Sequence, residues 1–326
     1  MRRRQFIAGL GSAAAWPVAV WAQQVMRRVG VLQNMPADDP LSVAQMTAFA
    51  QAMQALGWTN GRNLRIDIRF TATDAERIRR YAAELVALMP DAILATGAVT
   101  TKALQQSSRT IPIIFTATSD PVGEGLVASL ARPGGNTSGF AMIEYNISVK
   151  WLELLKEIAP GVTRAAVIRD PTLTASAGQY GAMLGVAASL RVELTPIDSR
   201  DVGEIERAIV AFARGSNGGL IVTTTAAAII HRDLITGLAA RHRLPAVYAG
   251  RHFVDDGGLL SYGADHVDPF RKAAGYIDRV LKGERTADLP VQLPTRYDTV
   301  LNLKAAKALG LAVPNSLLVR ADEVIE

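Results

Sequence analysis

The residues best suited to chemistry are concentrated in one segment, IIFTATSDPVGEG, at residues 113–125. Its polar side chains are Thr116, Thr118, Ser119 and Asp120. The segment contains no histidine, so its hydroxyls and carboxylate lack the base that nucleophilic catalysis needs. They are better suited to hydrogen bonding with a small ligand, and a helix starting at Pro121 would add N–H groups that favour an anion.

A local structural role for the same segment remains open. Ser119 or Asp120 directly before Pro121 is also an ordinary helix start, in which the side chain caps the first free N–H groups. Capping and ligand contact are compatible. We therefore expect Thr116 and Thr118 to contact a ligand, and we keep both roles for Asp120.

Polar residues also follow other short apolar runs. The further ligand-binding candidates are Asn34, Thr96, Gly97, Thr100, Asp170, Thr172, Thr223 and Tyr248. Gly97 would let the backbone approach a ligand closely, and the Tyr248 ring could stack on an aromatic ligand. Each has a structural alternative: turn formation for Asn34 and Gly97, pairing with Arg169 or helix capping for Asp170, and plain packing for Tyr248.

The elements that must position these residues alternate between apolar runs and amphipathic stretches, which is typical of a parallel α/β sheet. In the first half, strands are predicted at 27–33, 64–70, 91–96 and 111–116, with helices at 41–56, 75–89, 98–107 and 121–130. The pattern then restarts, with strands at 164–170, 191–197, 218–224 and 244–249 and helices at 148–159, 175–189, 202–213 and 229–242.

Two successive α/β sets predict two lobes. The first is expected to comprise residues 25–143 plus about 264–285, and the second residues 146–260 plus about 290–326. Small ligands bind outside the carboxyl ends of strands in open parallel sheets, where the candidate residues lie. If the two sheets face one another, these residues line a cleft from both sides.

The first 22 residues, MRRRQFIAGLGSAAAWPVAVWA, predict an export signal. A basic start precedes an Ala-rich apolar stretch too short and too interrupted to span a membrane comfortably, and Val-Trp-Ala ends it as a cleavage pattern. Arg3-Arg4 followed by Gln5, Phe6 and Ile7 resembles a twin-arginine signal, and an ordinary secretory signal is the alternative. Both predict export.

Charge, cysteine content and histidine spacing exclude several classes of function. The chain of 326 residues has a net charge of +5, and removing the arginines of the leader lowers it to +2, too weak a field to predict nucleic-acid binding. There is no cysteine, and His231, His242, His252 and His266 lack metal-ligand spacing, so they are expected to be surface or satisfied core residues. No nucleotide-binding or catalytic motif is present. We expect neither metal nor cofactor.

Several segments together resemble one family. They are VGVLQN (29–34), TATSDPVGEGLVASLARPGGNTSGF (116–140), GGLLSYG (257–263) and the tail from Leu281 to Glu326. The chain resembles the ABC-transporter substrate-binding proteins of the tryptophan/tyrosine-binding type. Where many members carry Asn-Pro, this chain has Arg169-Asp170-Pro171.

The resemblance implies the type I periplasmic binding protein fold, with two Rossmann-like lobes, parallel sheets, three hinge crossings and a ligand between the lobes. It also implies a monomeric periplasmic receptor that delivers a small carboxylate or amino-acid-like, in some members aromatic, ligand to an ABC permease in the inner membrane. The alternatives are a sensor for a membrane receptor and an enzyme using Asp120 or Asp170 as acid or base. A LacI-type regulator would need a DNA-binding helix-turn-helix in place of the leader.

Overall fold

A computed structural model describes residues 26–142 and 145–326 of the chain. The predicted export signal, residues 1–22, lies outside the described residues. The chain forms an α/β fold of two lobes, each built around its own sheet. We call the part around the five-stranded sheet the first lobe and the part around the seven-stranded sheet the second lobe.

The first sheet has the strand order β2-β1-β3-β4-β5, with all pairs parallel. Its strands are β1 (Arg27–Gln33), β2 (Leu64–Phe70), β3 (Ala92–Thr96), β4 (Ile113–Thr118) and β5 (Thr137–Ala141). The connecting helices are α1 (Pro40–Ala55), α2 (Ala75–Ala87) and α3 (Ala98–Ser107). Every residue of β3 is buried because helices cover both faces of the sheet.

The second lobe begins with α4 (Ile147–Ile158), and its sheet has the order β12-β11-β10-β9-β8-β6-β7. The strands are β6 (Arg164–Arg169), β7 (Glu193–Asp198), β8 (Gly218–Val222), β9 (Ala246–Tyr248), β10 (Leu260–Gly263), β11 (Asp298–Asn302) and β12 (Glu323–Ile325). The helices between β6 and β10 are α5 (Thr174–Ala187), α6 (Val202–Phe212), α7 (Ala226–Ile230), α8 (Arg232–Arg241) and α9 (His252–Asp255). The sheet is parallel except for the antiparallel pair β10–β11.

Helix α10 (Asp268–Leu281) explains that antiparallel pair. Its apolar face, with Phe270, Ala273 and Ile277, belongs to the same buried cluster as Val31 and Phe49 of the first lobe. The chain therefore leaves the second lobe through β10, packs a helix on the first lobe and returns through β11. Because the chain exits and re-enters the second sheet at the same end of its strands, β10 and β11 run in opposite directions. Helices α11 (Leu303–Ala308) and α12 (Asn315–Arg320) complete the chain.

One predicted element is wrong. Residues 121–130 form successive turns and not a helix. Gly125 has a positive φ of 71°, and its N–H donates to the carbonyl of Val122 in a short turn. Pro121 therefore marks a turn, for which proline is as well suited as for a helix start. Strand β4 also continues to Thr118, two residues beyond its predicted end.

The predicted helix at 229–242 is also wrong in its bounds. It is divided into α7 and α8 by His231, which ends one helix and precedes the other. The short helix α9 was not predicted, because its four residues carry no recognisable period.

Candidate functional site

A cleft of about 310 Å³ lies between the lobes at the carboxyl ends of the strands. Predicted residues from both lobes line it: Asn34, Thr96, Gly97, Thr100, Thr118, Asp120, Asp170 and Thr172. The parallel strands of each sheet end on the side that faces the other lobe, which brings residues distant in sequence to one cavity.

The first-lobe wall contains polar atoms without partners. Thr96 is 2% exposed, and its Oγ1 has no hydrogen bond. Oδ1 of Asn34 also has no hydrogen bond. The Thr100 hydroxyl differs, because it donates to the carbonyl of Thr96 at 2.7 Å. Buried polar atoms are normally satisfied, so the free atoms of Thr96 and Asn34 mark where a ligand could supply the missing partners.

Gly97 is the N-cap residue of helix α3 and lies beside those atoms. Its φ is +88°, and a Cβ there would lie 2.9 Å from Nδ2 of Asn34, so both conformation and space favour glycine. No side chain caps α3. The first N–H groups of the helix therefore lack intrahelical acceptors and stand at the cleft.

Asp120 is held by two donors. Its Oδ1 accepts the N–H of Gly123 at 2.8 Å, and its Oδ2 accepts the hydroxyl of Tyr145. Burial, and then the hydrogen bond to Asp120, raise the pKa of Tyr145. The capping interpretation is thus corrected in one respect: the Asp120 carboxylate fastens a turn and not a helix.

The second-lobe wall is centred on Asp170. Its Oδ1 accepts the backbone N–H of Thr172 at 2.8 Å and the Thr172 hydroxyl at 2.6 Å. Its cationic neighbour is Arg200, with 3.8 Å between Nε and Oδ1. Arg169 does not pair with it, because the Arg169 guanidinium carbon lies 4.9 Å from the centre of the Tyr180 ring.

Thr116, Thr223 and Tyr248 lie outside the cleft lining. Oγ1 of Thr116 lies 3.4 Å from the carbonyl oxygen of Ala95, and the Thr223 hydroxyl donates to Ile168 at 2.9 Å. Tyr248 is 1% exposed and stacks on Phe253 inside the second-lobe core. Thr224, the residue after Thr223, lines the cleft, so the step of one residue beyond the end of β8 decides which threonine faces the cavity.

Arg200 and Glu124 also line the cleft and were not among the predicted residues. Arg200 lies two residues after the end of β7, so applying the strand-end rule to that strand would have found it. Glu124 contacts the opposite lobe: its Oε1 accepts the N–H of Thr174, the first residue of α5, at 2.7 Å. That contact depends on the arrangement of the lobes and left no sequence signal.

Acidic groups outnumber basic groups in the lining of the cleft. Its ionisable lining groups are the carboxylates of Asp120, Glu124 and Asp170 and the guanidinium of Arg200. Arg200 already binds Asp198 through Nη2 at 2.5 Å. The lining therefore carries more carboxylates than cations, with Asp120 and Glu124 on the first lobe and Asp170 on the second, whereas the wall at α3 offers N–H groups. A small ligand carrying both an ammonium and a carboxylate would match this distribution.

Two histidines differ from expectation. His266 is buried and His252 is partly buried, their ring centres lie 5.0 Å apart, and the Nε2 atom of each has no hydrogen bond. They are core residues but not satisfied ones. In the described part of the chain, no group of three or more metal-ligating side chains is found, and no helix is long and apolar enough to cross a membrane.

Two facing α/β lobes with a polar cleft between them define a small-molecule binding protein of the type I periplasmic class. The chain belongs to the family of ABC transporter substrate binding proteins, whose sequence profile matches residues 28–325. This confirms the family resemblance of the sequence. Membership of a solute-binding family points away from an enzyme, and it implies a small-molecule ligand and an ABC transporter as partner.

The chain is similar to a tyrosine-binding protein of Clostridioides difficile strain R20291, with 28% identity over 278 residues, 84% of this chain and 80% of the relative. Among solved structures, a conserved domain protein of Vibrio cholerae O1 biovar El Tor superposes with a TM-score of 0.85 at 26% identity, covering 92% of this chain and 99% of the other. A ligand-free, open substrate binding protein with adhesive properties from Clostridium difficile covers the same shares at 26% identity, with a TM-score of 0.67.

Proposed function

We propose that this protein is an exported receptor that captures an amino acid in the cleft between its lobes and delivers it to an ABC permease. The observation that carries the proposal is the opposition of two chemistries across one cavity. Unpartnered hydroxyl and N–H groups stand on the first lobe, and the carboxylate of Asp170 stands on the second.

The carboxylate of the ligand is assigned to the first lobe. Thr96 can donate its free hydroxyl, and the uncapped start of α3 supplies N–H groups whose dipole favours an anion. Gly97 keeps the backbone there open to close approach. Asn34 lies beside this group, and its amide Nδ2, a hydrogen-bond donor, lies 2.9 Å from the position that a Cβ on Gly97 would occupy.

The ammonium of the ligand is assigned to Asp170. The hydrogen bonds from Thr172 use Oδ1, which leaves Oδ2 as an acceptor. The cleft lining carries three carboxylates and one guanidinium, so a cation is more favourable in the cleft than a second anion. Hydrogen bonds to charged groups are the stronger ones, so this contact contributes to both affinity and orientation.

The side chain of the ligand meets aliphatic groups. Apolar members of the lining include Ile78, Val99, Leu173, Ala175 and Ala226, and no aromatic side chain stands among the described lining residues. An apolar or aromatic side chain would be held by packing and not by ring stacking. L-tyrosine is the first ligand to test, because the similar Clostridioides difficile protein is named for binding tyrosine.

Calorimetric titration of the mature protein tests the assignment. We expect L-tyrosine to bind, and expect both 3-(4-hydroxyphenyl)propionate, which lacks the amine, and tyramine, which lacks the carboxylate, to bind at least tenfold more weakly. Equal binding of all three would refute recognition of both charged groups. If none of the proteinogenic amino acids binds, the proposal fails.

Matched variants test the recognition of the ligand ammonium and of the ligand carboxylate separately. Asp170→Asn should weaken L-tyrosine more than 3-(4-hydroxyphenyl)propionate, since only the former carries the amine, and Thr96→Val should weaken both. Thr110→Val and Asp38→Asn, at exposed positions outside the cleft, are the controls. Loss of binding in the controls would indicate a general defect and not a site.

Export is part of the proposal and rests on residues 1–22. Fractionation of cells that express the full chain should place the processed protein outside the cytoplasm. Arg3→Lys combined with Arg4→Lys should retain it inside if the twin-arginine route is used, whereas an ordinary secretory signal would tolerate the change.

A further inference from the structure

Arg232, the first residue of α8 in the second lobe, joins the two lobes through an ion pair outside the cleft lining. Its Nη1 lies 2.6 Å from Oδ2 of Asp39 in the first lobe, and its Nε lies 2.6 Å from Oδ2 of Asp256 in its own lobe. The side chains of Arg232 and Asp39 are only 10% and 8% exposed. None of the three residues lines the ligand cleft.

Asp39 and Arg232 are each held in place by hydrogen bonds within their own lobe. Oδ1 of Asp39 accepts the N–H groups of Leu41 at 2.9 Å and Ser42 at 3.2 Å, so this carboxylate also caps α1. Arg232 keeps Asp256 as a partner within the second lobe. Each side chain therefore has a local reason for its orientation, and little flexibility must be lost to form the contact between lobes.

Apolar contacts surround the ion pair. Met35 of the first lobe is 2% exposed and belongs to the buried cluster of the second lobe that contains Ile229 and Phe253. Leu41 packs against the same cluster. The segment from Met35 to Leu41 thus docks on the second lobe as a unit, and separation of the lobes would expose it together with the ion pair.

From this geometry we propose that Asp39 and Arg232 form an interlobe latch that raises the population of the closed form and thereby the affinity for ligand. They are positioning residues that do not touch the ligand. The apparent dissociation constant of a two-state receptor is its intrinsic value divided by the fraction in the binding-competent state. A tenfold loss of that fraction in the absence of ligand therefore weakens binding about tenfold.

Substitutions can remove the charge and keep the local structure. Asp39→Asn retains an amide oxygen for the cap of α1, since asparagine caps as well as aspartate, and Arg232→Gln removes the cation. We expect each to weaken the binding of L-tyrosine about tenfold, mainly through faster dissociation, and the double variant to be no weaker than either alone. The controls are Asp38→Asn and Arg241→Gln, at neighbouring exposed positions.

A direct measurement of closure separates this inference from the proposed function, on which its affinity readout rests. The chain has no cysteine, so Val43→Cys on α1 and Val202→Cys on α6, both about half exposed, can carry spin labels across the lobes. Pulsed electron paramagnetic resonance then gives the closed fraction with and without L-tyrosine.

We expect a closed fraction in the ligand-free parent protein that Asp39→Asn reduces and Asp38→Asn does not. Equal closed fractions in the parent and Asp39→Asn proteins, or no closed fraction in the parent, overturn the latch. A parent protein that binds no amino acid, yet loses its closed fraction on Asp39→Asn, refutes the proposed function and leaves the latch standing. A lower thermal midpoint with unchanged dissociation and closure would assign the pair to folding alone and overturn it too.

Discussion

Acid should destabilise this protein through its buried histidine pair. His266 is buried beside His252, and burial lowers its pKa from 6.5 to about 4, against weaker opposing effects of Asp265 and the backbone of Ala249. Burial also lowers the pKa of His252 well below its usual value, with the charges of His266 and Arg232 adding to the effect.

The sign and size follow from proton linkage. Between pH 6.5 and about 4 the unfolded chain binds a proton at this position and the folded chain does not, so the free energy of unfolding falls as the pH falls through that window. At 1.36 kcal/mol per pKa unit, His266 alone accounts for about 3 kcal/mol between neutral pH and pH 4. His252 acts in the same direction.

Urea unfolding at a series of pH values from 7.5 to 4 measures this effect. The His266→Gln variant, whose amide does not titrate in this range, should lose less stability over the window than the parent protein. His242→Gln is the matched control, since its ring is partly exposed and belongs to no buried pair. A parent free energy of unfolding that stays constant down to pH 4.5, or an equal slope in the parent and His266→Gln, would refute the reasoning.

Two further substitutions probe the cleft wall. Gly97→Ala should lower the free energy of unfolding by about 1–2 kcal/mol and weaken ligand binding, because it adds a Cβ at φ +88° and 2.9 Å from Nδ2 of Asn34. The control is Gly57→Ala, which is also at positive φ but in open space and should leave ligand binding unchanged. Asp120→Asn should bring the pKa of Tyr145 back towards its ordinary value, as measured by the phenolate absorbance, and an unshifted titration would contradict the assigned hydrogen bond.

Much of the fold was predictable because burial leaves a periodic trace. Strands β1 and β2 have the predicted bounds, 27–33 and 64–70, since their apolar residues fit a sheet covered by helices. The helix predicted at 121–130 failed because a proline signals a turn as readily as a helix start. Such local signals cannot decide between two structures that share a first residue.

The composition of the cleft was predictable for a similar reason. Thr96 ends a strand, Gly97 and Asp170 each follow one, and parallel strands end at the same edge. The direction of each side chain was not predictable, because a shift of a single residue decides whether a strand-end group faces the cavity or the neighbouring strand. Thr223 follows β8 and Tyr248 ends β9, and both still lie outside the cleft lining.

The sequence by itself determined two α/β lobes, the strand ends that carry polar residues and the family to which the chain belongs. Only the tertiary structure decided which groups meet across the lobes: Glu124 with Thr174, and Asp39 with Arg232. The physical reason is that strand and helix patterns repeat over a few residues, whereas a contact between lobes joins residues that no short-range pattern relates.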